Sequence, residues 1–278
     1  MHAIGDADYA FGRGRAEYER LIEQAEIFRP LTDRMVRSAG IGAGMDVLDV
    51  GCGAGDVSFL VSALVGPEGS VTGVDLDGDA VGVAEQRRAA QGITNVSFRQ
   101  ADARSLDPGR PFDAAVGRFV LMFMHHPTQA LRLFAERVRP GGILAFCESA
   151  ASVTVTPAGQ QPVLAALLAL FTSAFERSGA RPDIGAELYS RMRDAGLRPD
   201  PRPLAELVLY PARDTIAYRR WALFARSMLP KIIEYGLATE EEIRRRVEHD
   251  LREELLAGTG LVPLSWLMIS QWARVPAR

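Results

Sequence analysis

With 278 residues, 47% of them hydrophobic and 24% charged, the chain can bury a large core and has the composition of a soluble globular protein. A net charge of −3 excludes the basic footprint of a nucleic-acid binder and leaves a small molecule as the expected partner. The longest apolar run, residues 163–171, is far short of the ~20 residues of a membrane span. The opening Met1-His2-Ala3 starts no basic-then-apolar leader, and the two cysteines, Cys52 and Cys147, fit a reducing cytoplasm.

In chain order, residues 15–40 read as two helices broken at Pro30, with Leu21, Ile22, Ala25 and Phe28 at helical spacing. A strand–helix alternation follows. Strands are expected at 47–50, 70–75, 96–100, 112–116 and 142–148, with helices to about 65, over 80–91 and over 127–138. Short β-branched runs between helices imply a parallel sheet with right-handed crossovers. Cys52 and Cys147 then sit at strands separated by another, so no disulfide is expected. Beyond Ser149 the pattern changes to helices at 162–178, 186–195, 214–229 and 239–257, a strand at 204–210 and a final strand within 263–275. The division expected is an N-terminal helical cap (1–40), a ligand-binding core (41–150) and a remainder (151–278). That last part completes the sheet and carries helical insertions at about 151–180 and 211–260.

The first strand runs into Gly51-Cys52-Gly53-Ala54-Gly55, and Asp75 lies 20 residues beyond Gly55. A glycine turn lets a ligand approach the backbone, and an acid at that distance, at the end of the second strand, suits ribose hydroxyls. The dinucleotide fingerprint would place glycine at 56, where this chain has Asp56, at the start of a helix. A carboxylate there repels a pyrophosphate and tolerates a ligand with a cationic sulfur; it also suits a helix cap. Asp102, ending the third strand, is a second acid at the same edge.

These segments resemble class I S-adenosylmethionine-dependent methyltransferases of the small-molecule, natural-product kind. Val47-Leu48-Asp49-Val50-Gly51-Cys52-Gly53-Ala54-Gly55-Asp56 is similar to their first motif, and Gly73-Val74-Asp75 to their second. Ala101-Asp102-Ala103, Phe112-Asp113-Ala114-Ala115-Val116 and Arg139-Pro140-Gly141-Gly142 resemble the motifs that follow, in order, across about residues 40–150. The resemblance implies a doubly wound, mostly parallel seven-stranded α/β sheet of Rossmann-like type, with helical lid insertions and N-terminal helices. It implies S-adenosylmethionine as cofactor. Gly51, Cys52 and Gly53 would lie along the methionine, Asp75 on the ribose with Leu76 beside the adenine, and Asp102 and Ala103 at the adenine amino group. Arg118 and Phe119 would line the methionine end, with Asp49 supporting the turn from behind.

The reaction implied is methyl transfer to oxygen or carbon of a mostly apolar or aromatic small molecule, in secondary metabolism. In-line positioning supplies much of the barrier reduction, so a general base is optional. His125, His126 and Glu148, near the carboxyl ends of the fourth and fifth strands, are the catalytic candidates. Tyr9, Phe11, Met122, Phe123, Tyr218 and Trp221 are candidate pocket walls, with Met124 and Phe224 beside them. Arg20 and Gln24 share a face of the N-terminal helix, read as solvated, the other reading being that one of them closes over the cofactor's amino-acid end. No residues have metal-ligand spacing, so no metal is expected. A cyclase or pericyclase that keeps the cofactor, or a non-catalytic binding protein, is the alternative, and a homodimer is compatible with the extra helices.

Overall fold

The structure is a computed structural model that describes residues 15–107, 109–153 and 161–277, so Tyr9 and Phe11 lie outside the described residues. Five strands run in the order β1 (Asp46–Val50), β2 (Ser70–Asp75), β3 (Val96–Gln100), β4 (Phe112–Arg118) and β5 (Val138–Ala150). Four short ones follow, β6 (Arg198–Pro199), β7 (Leu204–Glu206), β8 (Leu209–Pro211) and β9 (Leu261–Pro263), and then β10 (Leu267–Arg274). The main sheet has the order β3-β2-β1-β4-β5-β10-β6, with β7 sharing the outer edge of β10. The first five strands pair in parallel and β10 runs antiparallel to β5.

The middle strands are β-branched and small, and they bury both faces: Val47, Leu48, Ala114, Ala115 and Val116 are wholly inside. One face is covered by α1 (Arg15–Ala39), α2 (Asp56–Val65) and the edge helix α3 (Gly78–Ala90). Met35, Val36, Val61 and Val116 belong to the core on that face. On the other face α4 (Pro127–Ala135) and α6 (Ile184–Asp194) pack near the strands, with Phe134 stacked on Phe146 at 5.8 Å. That core continues into α5 (Pro162–Arg177) and α7 (Thr215–Glu234) through a group of rings. Phe171 meets Phe224 at 5.0 Å, and Trp266 meets Trp221, Phe224 and Phe175 at 5.5 to 6.0 Å.

Three elements differ from the sequence reading. Residues 15–39 form one helix with Pro30 inside it. Proline forfeits one backbone bond, but Phe28, Leu31, Met35 and Val36 on both sides of it are buried in one cluster, and that packing holds the axis continuous. Residues 204–210 divide between two sheets, β7 bonding to β10 and β8 pairing antiparallel with the distant β9. The 239–257 stretch is α8 (Glu240–Arg245), a π-helical turn (Arg246–Leu251) and α9 (Arg252–Ala257), opened by a Thr239/Glu242 capping box. Among the described residues, no helix is long and apolar enough to cross a membrane.

Candidate functional site

The carboxyl ends of β1, β2 and β4 open onto one cavity of about 610 Å³, a size suited to a small ligand. At one end it is lined by Gly51, Cys52, Gly53, Asp75, Leu76, Asp102, Ala103, Arg118 and Phe119. Nine of the ten residues expected along the cofactor thus meet in a single cavity. Asp49 lies behind the turn instead, fully buried, where its Oδ2 accepts from the Ser58 hydroxyl at 2.6 Å. Burial pushes the Asp49 carboxyl up to about 7, against the Ser58 hydrogen bond.

Parallel pairing sets this geometry. β1 ends opposite Val74, and the turn then crosses toward β2: the Gly51 and Cys52 amides donate to the Val74 carbonyl at 2.8 and 3.0 Å. The next amide, Gly53, donates to Asp75 Oδ2 at 2.8 Å, while Asp77 N–H donates to Oδ1 at 2.9 Å. Gly51 and Gly53 take φ of +67° and +51°, a region that suits glycine. A Cβ on Gly51 would lie 2.7 Å from Val120 Cγ2. Burial raises the Asp75 carboxyl above its ordinary value despite those two amides. Leu76, next along, is 58% exposed, an apolar side chain held open beside two acids. Burial also works to raise Asp102, but the Arg104 guanidinium and amide outweigh it and hold the carboxyl low.

Asp56 is engaged rather than open. It forms an ion pair with Arg87 at 2.7 Å, and that guanidinium also donates to the Ala54 carbonyl and lies 5.3 Å over the Phe59 ring. Asp56 makes no capping bond, since Gly55 holds the cap position. Its charge is therefore largely neutralised, and the case against a dinucleotide rests on the missing glycine more than on repulsion.

The loop after β4 forms the middle of the cavity wall. Phe119 has φ of +58°, alone among the described non-glycine residues in that region, and it reverses the chain into a single 3-10 turn, Leu121–Phe123. Met122, Phe123 and Met124 then face the cavity. Glu148 holds the turn: its Oε1 accepts from the Val120 and Leu121 amides, both at 2.8 Å. Glu148 is thus a buried clamp behind the wall, and it does not line the cavity as a catalytic group would. Burial pushes it up to about 7 against the amides of Leu121, Val120 and Met122, and among the described residues its Oε2 has no hydrogen-bond partner. His125 and His126, at the end of this loop, are exposed and also do not line the cavity.

The far end is aromatic, but not with the rings the sequence picks out. Phe175, Phe224 and Trp266 line it. Trp221 is fully buried behind them, its indole donating to the Pro263 carbonyl at 2.8 Å, and Tyr218 is packed against the core away from the cavity. Their helix α7 turns the 217/220/221/224 face inward, and only Arg220 and Phe224 of that face reach the cavity. The N-terminal helix supplies the residues that sequence reasoning missed. Glu17, together with Arg20 and Gln24, the pair read as a solvated face, is buried: the three are 3, 2 and 7% exposed and line the cavity. Their signal was present: residues 17, 20, 24 and 28 follow helical spacing, and Phe28 is an aromatic on that stripe.

A family model described as a methyltransferase domain matches residues 41–187, just over half of the chain. The chain belongs to the S-adenosylmethionine-dependent methyltransferases. Among curated relatives, aklanonic acid methyltransferase DauC of Streptomyces sp. (strain C5) is 32% identical over 49% of this chain and 62% of its own length. The ubiquinone/menaquinone biosynthesis C-methyltransferase UbiE of Pseudomonas paraeruginosa is 35% identical over 41% of this chain and 45% of its own. The chain thus spans about half to three-fifths of the relatives it matches. In fold it is similar to a SAM-dependent methyltransferase from Aquifex aeolicus, with TM-score 0.52 and 21% identity over 69% of this chain and 93% of that one. It is also similar to the [4+2]-cyclase SpnF, with TM-score 0.55 and 21% identity over 99% and 88%. As in other members of the family, the cofactor of this methyltransferase is S-adenosylmethionine.

Proposed function

We propose that this methyltransferase transfers the methyl group of S-adenosylmethionine to an oxygen or carbon of a mostly apolar or aromatic small molecule of secondary metabolism. The observation that carries the reading is the single cavity that joins the glycine turn and its acids to a wall of rings. The residues present fit the cofactor. Asp75 and Asp102 offer carboxylates for hydroxyl and amino donors, Leu76 offers an open apolar surface for a flat base, and the turn exposes main chain without side chains. Arg118, half-buried and donating to the Thr32 hydroxyl at 2.8 Å, would receive the amino-acid carboxylate, with Phe119 beside it. When bound, the cofactor supplies an electrophilic methyl on a cationic sulfur.

The chain's own part is to hold the acceptor in line and exclude water. Met122, Phe123, Phe175, Phe224 and Trp266 present apolar walls of the kind that orient a polycyclic or aromatic acceptor. In this reading α5, α7, α8 and α9 form a lid over the acceptor end, with α1 packed against α7. The likeness to DauC, named a methyltransferase of aklanonic acid, supports an acceptor of natural-product type. Two free, buried cysteines suit a reducing, cytoplasmic setting.

Calorimetry with S-adenosylhomocysteine, together with turnover of the methyl donor against a panel of aromatic phenols and acids, tests the reading. Asp75→Ala should weaken binding by about 10- to 100-fold, as expected for loss of charged hydrogen bonds. Undiminished affinity in that variant would overturn the ribose assignment. Conversion of an acceptor with the methyl donor left intact would favour the non-methylating alternative, the [4+2]-cyclase SpnF being one such protein of similar fold.

A further inference from the structure

Arg20 and Arg220, two of the arginines in the cavity wall, stand beside one carboxylate, Glu17. Arg20 spends its charge on Glu17: its Nε and Nη2 donate to the two Glu17 oxygens at 2.7 and 2.6 Å, and Ser227 also donates to Glu17. Among the described residues Arg220, from α7, forms no ion pair. It is 5% exposed and lines the cavity. Its Nε reaches the Leu264 carbonyl at 3.3 Å, and its Nη2 reaches Gln24 Oε1 at 3.4 Å, an oxygen that Arg20 also uses. Among the described residues its Nη1 has no hydrogen bond. The other acid that acts on it, Glu23, is bound to exposed Arg219. The Phe224 and Trp221 rings lie 5.0 and 5.5 Å from its guanidinium carbon.

Formal charges in this buried group are two positive and one negative. A guanidinium carries five donors in a planar fork, and burying it with two long bonds and no ion pair is costly unless an anion arrives. Burial and the charge of Arg20 push Arg220 down to about 9, the same deficit seen from the proton's side. Placing the cation against Phe224, a ring that lines the cavity, would set a planar oxyanion beside an aromatic body.

We propose that Arg220, flanked by Gln24, is the receptor for an anionic group of the acceptor, so that the acceptor class is an aromatic or polycyclic compound bearing a carboxylate. This rests on the reading of the cavity as a methyltransferase site. The same chemistry has a second source, the amino-acid carboxylate of the cofactor, and the test separates the two.

Calorimetry compares 2-naphthoate with 2-naphthamide, each with and without saturating S-adenosylhomocysteine, on wild type, Arg220→Gln and Arg220→Lys. Wild type should bind the acid about tenfold or more tightly than the amide, as a desolvated bidentate pair allows. Arg220→Gln should erase the preference, and Arg220→Lys should keep part of it, a point charge without the fork. Affinity for S-adenosylhomocysteine should stay within about twofold in all three, which also reports that each variant is folded. Equal binding of acid and amide by wild type, or no binding of either, overturns the proposal. Loss of S-adenosylhomocysteine affinity in a folded Arg220→Gln, matching its loss of the acid, would assign the anion to the cofactor instead and equally overturn it. A wild type that ignores S-adenosylhomocysteine yet prefers the acid through Arg220 would refute the methyltransferase reading and leave the anion receptor standing. Should Arg220→Gln not fold, the wild-type preference and the Lys variant decide.

Discussion

Glu148 shows how one buried side chain governs a site it does not touch. Its ordinary value of 4.5 is raised to about 7 by burial, although two amides donate to one of its oxygens. The folded protein therefore holds this proton more tightly than the unfolded chain does. That contribution to stability is complete below about pH 4.5 and is lost as pH rises through 7. Glu148→Gln keeps an acceptor for the two amides and cannot titrate. Urea denaturation at about pH 5 and about pH 8 should show the variant gaining about 2 kcal/mol relative to wild type at the higher pH. A constant gap would mean that the carboxyl is ionised in the fold throughout. Asp49, raised by burial in the same sense, remains in both proteins and cancels in the comparison.

At the scale of elements, the site is a junction between two turns. The glycine turn after β1 and the Phe119 reversal after β4 press together where Gly51 meets Val120. Gly51→Ala would put a side chain at φ +67° and 2.7 Å from Val120 Cγ2. It should cost about 2–3 kcal/mol of stability and about tenfold or more of S-adenosylhomocysteine affinity. Gly82 is the contrast: it lies inside α3, with nothing within 4 Å of the added atom. Gly82→Ala should stabilise by about 0.5–1 kcal/mol through helix propensity alone. Denaturation and calorimetry on the pair separate a glycine required by its contacts from one that is merely tolerated. The motif was legible in the sequence because the backbone dictates it. The Glu148 clamp was not, because its partners are main-chain amides 27 and 28 residues away that any sequence would supply.

For the whole molecule, cofactor and fold are coupled, because the cavity wall draws on α1, the ends of the central strands and α7. A ligand bound only by the folded state, at about 100 times its Kd, adds about 2.7 kcal/mol of stability. For a chain of this size S-adenosylhomocysteine should raise Tm by roughly 5–10 °C in a thermal melt, and NAD should not. A shift with NAD alone would contradict the family's cofactor at this site. The buried Glu17/Arg20/Gln24/Arg220 group belongs to this scale too, since α1 and α7 are remote in sequence and meet only in the fold.

The sequence by itself determined the sheet, the glycine turn, the acids at the ends of the second and third strands, and through them the cofactor. These are local: strand period, turn chemistry and a fixed spacing along a βαβ unit. Tertiary structure alone decided which far residues line the cavity. Helical spacing gives a face and not its partner, so Trp221 and Phe224 read alike in sequence, yet one is core and the other wall. Arg20 and Gln24 looked solvated because charge marks a surface by default, and only the packing of α1 on α7 takes that face out of water. His125 and His126, prominent as residue types, lie on an exposed loop because side-chain chemistry carries no information about which way a turn points.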